Sequence, residues 1–328
     1  PFWLKPHLGQ VVSAYNYLDE QRSVPQAIKN DRTMRRAVLL TIAMHNLGHC
    51  LAARGQLRHS QQQVPQEMLT VVTAACGSEN YASAAVALKT SLERFSTGPL
   101  QLSVIYDTDV ALNSLKRLIP ETNTSLQVKF AAYDRGRRAV AAYAPRLEEP
   151  DRFQCANAKL ILSSLLPDVQ GLVLWVDADT RIRRDITQVV PWFREQQKGK
   201  PVLQAAMSWE SIPTYAGNWY KCCSSIPGRF YRPFGLNSGV IVLDFKLWRG
   251  TVAKKSYLDL LQDGTIGMSM VDQDVFNIFF QQHRDHLVQL PFEYNWRGAT
   301  VCGVAEARIE HFNGCGVTAA LEDSSGCH

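Results

Sequence analysis

The chain has 328 residues, 46% of them hydrophobic and 20% charged, a globular balance that excludes disorder over most of its length. Its net charge of +5 is scattered apart from short clusters such as Arg35-Arg36, Arg183-Arg184 and Lys254-Lys255. That pattern lacks the basic stripe of a nucleic-acid binder and excludes nucleic acid as the main partner, while anionic small molecules stay compatible.

Eight cysteines stand at irregular spacings with no Cys-x-x-Cys pair, which excludes a zinc ribbon or thioredoxin motif. They fit a few disulfides in a secretory protein, with a pairing that cannot be read from sequence. The single sequon, Asn123-Thr124-Ser125, points the same way.

In chain order, the first feature is the apolar stretch 37–53, preceded by Arg35-Arg36 and followed by Arg54. It is a poor candidate for a membrane anchor, because His45, Asn46 and His49 interrupt it, and an amphipathic helix or a mispredicted leader fits it better. The glutamine-rich run from Arg54 to Gln66 reads as a solvated stem. Residues 1–66 are therefore expected to be a leader with a candidate degenerate anchor and stem, and residues 67–328 one α/β catalytic domain.

From Met68 onward, short β-type runs alternate with helical patterns, which predicts a mostly parallel sheet with helices on both faces. Leu69–Ala75 is the first strand. A helix carrying Ala85, Leu88, Leu92 and Phe95 at helical spacing follows, and Gly98-Pro99 stops it. Leu100–Tyr106 is the second strand, Leu112–Leu118 a helix and Leu126–Ala132 a third strand. A helix is predicted over Cys155–Leu166. The apolar run Leu172–Val176 reads as a strand buried on both faces. Ser238–Phe245 is a further strand, Asp272–Phe280 the start of a helix, and Ala307–Phe312 a final short strand.

In open parallel sheets, ligands bind beyond the carboxyl ends of the strands, where Asp177 and Asp179 fall. Residues two apart on extended chain project the same way, so both carboxylates can share one cation while Ala178 faces the other side. Asp-x-Asp also occurs at Asp107/Asp109 and Asp272/Asp274, so position carries more weight than pattern. Taken alone, the pair at 177 and 179 equally fits a helix cap or a solvated turn. Gly235-Leu236-Asn237-Ser238-Gly239 offers small polar side chains and two glycines where backbone can approach a sugar closely. Asp272-Gln273-Asp274 opens a helix with carboxylates and an amide, and His311 precedes the Gly-rich run Asn313-Gly314-Cys315-Gly316.

These segments, in this order, resemble the family 8 retaining glycosyltransferases over most of 68–317. Ala75-Cys76-Gly77, Cys155-Ala156 with Lys159-Leu160, Trp219-Tyr220, and Asp272-Gln273-Asp274 before Asn277 look most like the glucoside xylosyltransferase branch. The resemblance implies a Rossmann-like nucleotide-diphospho-sugar transferase fold of GT-A type. It further implies transfer of xylose from UDP-xylose to O-linked glucose on epidermal-growth-factor-like repeats in α-1,3 linkage, by a type II membrane protein of the Golgi or ER lumen. A UDP-hexose donor and a non-catalytic nucleotide-sugar binder are the alternatives.

The same resemblance implies roles for individual residues. Asp177, Asp179 and His311 would hold a divalent metal, with Mn²⁺ suiting a mixed carboxylate and imidazole set. Ala74, Cys76 and Tyr81 would hold the uridine, Tyr81 stacking on the base. Lys159, Ala178, Asn237, Ser238 and Gly314 would contact the donor sugar or its phosphates. Asp272, Gln273 and Asn237 would serve the reacting centre. Many family members carry a Lys where Val317 stands. Trp219, Tyr220 and Trp296 are candidates for a wall that holds the glycan or glycoprotein acceptor, since aromatic faces suit sugar rings. Neither Asp272 nor Gln273 is a convincing nucleophile, which favours front-face substitution with the β-phosphate taking the acceptor proton.

Overall fold

The computed structural model describes residues 67–119, 126–133, 155–210, 230–232, 235–263, 272–297 and 306–312. Residues 1–66, with the candidate anchor and stem, lie outside them, as does the sequon. Among the described residues no helix is long and apolar enough to cross a membrane.

Among the described residues, seven strands form one sheet: β1 (Leu69–Ala74), β2 (Leu100–Tyr106), β3 (Gln127–Ala132), β4 (Leu172–Val176), β6 (Ala205–Trp209), β7 (Leu236–Asp244) and β8 (Leu287–Gln289), in the order β3-β2-β1-β4-β7-β6-β8. β7 alone runs against the rest. The GT-A-type mixed, mostly parallel sheet expected from the sequence is thus present. A separate antiparallel ribbon of β5 (Thr180–Ile182) and β9 (Ile309–His311) was not foreseen as a pair.

Alternation along the central strand builds two cores. Val173 and Trp175 of β4 face one cluster with Ile241 and Leu243, covered by the aromatic helix Asp272–Gln282. Leu172, Leu174 and Val176 face the other, with Val240 and Val242, under the helix Glu79–Phe95. Every residue of β4 is buried, as a strand covered on both faces should be.

The helices in chain order are α1 (Glu79–Phe95), α2 (Asp109–Leu118), α3 (Leu162–Leu165), α4 (Val189–Gln197), α5 (Phe245–Val252), α6 (Lys255–Gln262) and α7 (Asp272–Gln282). The helix predicted over Cys155–Leu166 is instead a 3-10 turn, Ala156–Ile161, running into α3. Cys155 starts that turn in the left-handed region at φ 63° and is joined to Cys76 by a disulfide. The strand predicted to reach Phe245 ends at Asp244, whose carboxylate accepts from the Lys246 N–H and caps α5.

Candidate metal and donor site

The reversal of β7 assembles the site. β1, β4 and β6 deliver their carboxyl ends to one edge of the sheet, and an antiparallel β7 brings its amino end, Asn237-Ser238-Gly239, to that same edge. Pairing of β6 with β7 shifts register between Met207 and Ser208: Met207 opposes Ile241, while Ser208 opposes Asn237. Residues 238–240 thus leave the β6 ladder, a bulge of the sort found beside active sites. Their backbone serves the site instead. The Asp177 N–H donates to Gly239 O at 2.8 Å, and the Ser238 N–H donates to Gln273 Oε1 at 3.0 Å.

After β4 the chain turns tightly, with the Thr180 hydroxyl donating to Asp177 O at 2.7 Å, and enters β5. β9 pairs so that Thr180 lies opposite His311, and the Phe312 N–H donates to Asp179 O at 2.9 Å. This three-residue ribbon carries the imidazole to the aspartate pair. One ligand atom from each of Asp177, Asp179 and His311 lies within 4.8 Å of the others, and His311 Nε2 is 3.4 Å from Asp179 Oδ1.

Two observations test whether these residues fit a divalent cation. Two carboxylates and one imidazole nitrogen converge without an internal cation that satisfies all three, a donor set suited to a borderline metal. His311 also packs directly on the β7 backbone: a Cβ at Gly239 would lie 2.0 Å from His311 Cε1. Only glycine leaves room for the ring, so the motif's second glycine is there for the imidazole. The residues fit the metal.

Lys159 stands beside the cage, buried, with Nζ 2.9 Å from Asp177 Oδ1 and 3.1 Å from Asp272 Oδ2. Burial alone would lower its pKa, but the two carboxylates outweigh it and hold the ammonium well above the usual lysine range. Its charge lies 5.3 Å from the Trp175 ring, whose indole N–H donates to Asp177 Oδ1 at 2.7 Å. Asp272, at the first turn of α7, is pushed up to about 6 by burial; Lys159 opposes the rise and Asp177 adds to it. Burial likewise acts to raise Asp179, yet His311 and Lys159 hold it below the ordinary value. Tyr81, in the first turn of α1, has its phenol pushed up by burial and by the nearby Asp179 and Asp177.

The motif amides are tied together through Glu210, just past β6. Glu210 Oε1 accepts from Asn237 Nδ2 and from Gln273 Nε2, each at 3.1 Å, and its other oxygen pairs with buried Arg297. Asn237 Oδ1 accepts from the Gly239 N–H at 3.0 Å and from Asn295 Nδ2 at 2.9 Å. Asn295 Oδ1 lies 2.9 Å from His311 Nδ1. Asn277 fastens α7 to β7, accepting from the Leu236 N–H at 2.8 Å and donating to Leu236 O at 3.0 Å.

The residues singled out from sequence therefore gather in part. Asp177, Asp179, His311, Lys159, Asp272, Gln273, Asn237, Ser238 and Tyr81 converge. Ala74 and Cys76 sit at the carboxyl end of β1, with the Cys76 sulfur committed to Cys155, so a ligand there would meet backbone. Ala178 lines a separate cleft of about 400 Å³ under α1. Trp296 is only 6% exposed, and its backbone bridges β9, so it presents little face to a sugar. Gly314, Val317, Trp219 and Tyr220 lie outside the described residues. Of the other Asp-x-Asp pairs, Asp107 accepts from the Gly77 N–H at 3.1 Å, and Asp274 is fully buried in α7. Glu210 and the part Asn295 plays were not found from sequence, since a single polar residue after a strand carries no periodic signal.

Comparison with known proteins agrees with this geometry. The family described as "Glycosyl transferase family 8" matches residues 72–315. Human glucoside xylosyltransferase 1 is 28% identical over 252 residues, 73% of this chain and 54% of that protein. Mouse glucoside xylosyltransferase 2 is 30% identical over 154 residues, 44% of this chain and 33% of that protein. The chain thus spans about a third to just over half the length of these relatives. In fold, mouse xyloside xylosyltransferase 1 in its apo form superposes with a TM-score of 0.56 at 15% identity, covering 76% of this chain and 99% of that one. The galactosyltransferase LgtC, solved with donor and acceptor sugar analogues, gives 0.51 at 16% identity, covering 77% and 94%. With a family match over most of its length, the chain belongs to glycosyl transferase family 8.

Proposed function

We propose that the protein transfers xylose from UDP-xylose to a glucoside acceptor, O-linked glucose on epidermal-growth-factor-like repeats, with an α-1,3 linkage and retained anomeric configuration. The observation that carries the reading is the convergence of Asp177, Asp179 and His311 at the carboxyl edge of the sheet, beside the Lys159–Asp272 pair. A Mn²⁺ held by those three side chains would offset the negative charge that builds on UDP as the sugar–phosphate bond breaks. Lys159 adds a fixed ammonium in a buried setting, where it acts more strongly than in water.

Asp272 is engaged by Lys159, and Gln273 is held at both ends of its amide by Glu210 and Ser238. Neither is free to swing as a nucleophile, which supports front-face substitution, the β-phosphate accepting the proton of the incoming hydroxyl. Ala74, Cys76 and Tyr81 would take the uridine. Ala178, Asn237, Ser238 and Gly314 would serve the donor, with Trp219 and Tyr220 as the acceptor wall. The Cys76–Cys155 disulfide supports an oxidising compartment, and we assign the protein to the Golgi or ER lumen as a type II membrane protein anchored through residues 1–66.

The test is Mn²⁺-dependent UDP release from UDP-xylose, UDP-glucose and UDP-galactose, with and without a glucoside acceptor. Acceptor-dependent release from UDP-xylose alone is expected. Preference for a hexose donor would reassign the substrate, and release by none would leave a nucleotide-sugar binder. Asp179→Ala should fold and lose Mn²⁺ binding; unchanged binding would remove the metal from this cage.

A further inference from the structure

We propose that the cleft between α1 and β5 is a docking site for an acidic segment of the polypeptide that carries the acceptor glucose. The inference rests on the glycoprotein acceptor proposed above and adds a second point of recognition, one that reads the protein rather than the sugar.

The cleft encloses about 400 Å³, within the range of roughly 300–1,000 Å³ usual for ligand sites. One wall is a stripe of α1. Ala84, Ala87, Ser91 and Arg94 recur at helical spacing and share a face, and the small side chains among them leave a slot open beside the helix. The facing wall is the chain from Ala178 through β5 to Arg183. Ala178 stands between two of the proposed metal ligands, Asp177 and Asp179, so the cleft begins one residue along the chain from the cage.

The charge of the cleft has one sign. Arg94, Arg181 and Arg183 line it, and among the described residues no carboxylate does. Arg183 is paired with buried Glu310 and serves as wall more than as charge. Arg94 and Arg181 lie over the rings of Phe95 and Phe312, 5.0 and 6.0 Å from their centroids, contacts that orient a guanidinium while keeping its charge. Guanidinium forks match carboxylates, so the ligand is an anion. The floor decides which kind. Ala84, Ala87, Ala178 and Ile182 make it largely apolar, and the Thr180 hydroxyl is already donated to Asp177 O. A sugar chain would lose hydrogen bonds to water on that floor, and a free phosphate would leave it uncovered. A short peptide that combines acidic with apolar side chains meets both the rim and the floor.

The experiment offers the full chain a fluorescent hexapeptide alternating glutamate with alanine, its glutamine counterpart, an oligogalacturonate and phosphatidylserine vesicles. Fluorescence anisotropy should show the glutamate peptide bound, more weakly as salt rises, and the glutamine peptide left free. Arg94→Gln and Arg181→Gln should each weaken binding by up to about fivefold, the range of exposed ion pairs. Arg117→Gln, at a residue paired with Glu79 outside the cleft, should leave it unchanged. Ala87→Leu fills the slot with another good helix former, alters no charge, and should also weaken binding. In transfer assays the three cleft variants should raise KM for a glucosylated acidic peptide and leave KM for a free glucoside as in the wild type. Equal binding of the two peptides, unchanged binding in the cleft variants, or tighter binding of the oligogalacturonate or the vesicles would overturn the inference. Absence of transfer by the wild type would instead overturn the proposed acceptor, and the anisotropy would still decide the cleft.

Discussion

Replacing Gly239 by alanine adds one methyl group against the cage. Its Cβ would lie 2.0 Å from His311 Cε1, 2.7 Å from Nδ1 and 2.8 Å from Nε2, whereas carbon atoms in good contact sit about 3.5–4.0 Å apart. Relief requires a shift of about 1.5 Å. The β7 backbone cannot supply it cheaply, because Val240 pairs with Val176 of β4 and Gly239 O accepts from Asp177. The imidazole must therefore move, breaking its contact with Asn295 and leaving the carboxylates. Overpacking of this kind costs about 1–3 kcal/mol. At roughly 2–4 °C per kcal/mol the melting temperature should fall by several degrees. Mn²⁺ affinity should fall at least about tenfold, the lower bound for outer partners of a ligand. Gly250→Ala is the matched control. Nothing lies within 4 Å of a Cβ there, and it sits within α5, where alanine stabilises by roughly 0.5–1 kcal/mol. Calorimetric Mn²⁺ titration and thermal unfolding of the two variants should give opposite signs in stability and a loss of binding only at 239. A Gly239→Ala protein with wild-type affinity and melting temperature would refute the packing argument.

Lys159→Met leaves Asp272, 5% exposed, without its cation, and breaking a buried pair costs about 3–5 kcal/mol. Because Asp177 is 29% exposed, the lower end is expected, read as a reduced urea midpoint at unchanged slope. Cys76→Ser/Cys155→Ser opens a link across 79 residues and should cost about 2–4 kcal/mol in denaturant unfolding, with UDP affinity falling as the turn bearing Lys159 loosens. Asp185 supplies a pH dependence away from the cage: burial acts to raise it, but donation from Thr187, Thr97 and Gln188 holds it below its ordinary value. A depressed carboxylate contributes stability above its unfolded pKa of about 3.9 that is lost as pH falls through the folded value. Asp185→Asn should therefore flatten the acid limb of a stability–pH curve and leave the pH dependence of the neutral region as in the wild type. Chelation with EDTA should weaken UDP binding, measured by calorimetry, since phosphates would otherwise meet unscreened carboxylates.

Much of the fold was legible where strands are long and apolar. Leu69–Ala74, Leu100–Tyr106 and Leu172–Val176 appear within a residue of their predicted spans, punctuated by Gly98-Pro99. β5 and β8 were not, because three residues carry no period, and their pairing is set by distant partners. At the site, the placement of Asp177 and Asp179 follows from position alone. That His311 joins them came from resemblance: the strand bearing it was read within Ala307–Phe312, but its pairing with β5 is set by a distant partner that local pattern does not show. Glu210 and Asn295 act through hydrogen-bond direction, which exists only after folding.

Charge balance ties these pieces to one chemistry. Asp177, Asp179 and Asp272 place three carboxylates around one ammonium, Lys159, with the His311 imidazole beside Asp179. Lys159 pairs directly with Asp177 and Asp272, while Asp179 Oδ1 has His311 Nε2 at 3.4 Å. With the donor placed as proposed, that excess of negative charge would oppose an approaching diphosphate. A divalent cation held by Asp177, Asp179 and His311 would offset that charge, so the proposed donor binding should depend on the metal.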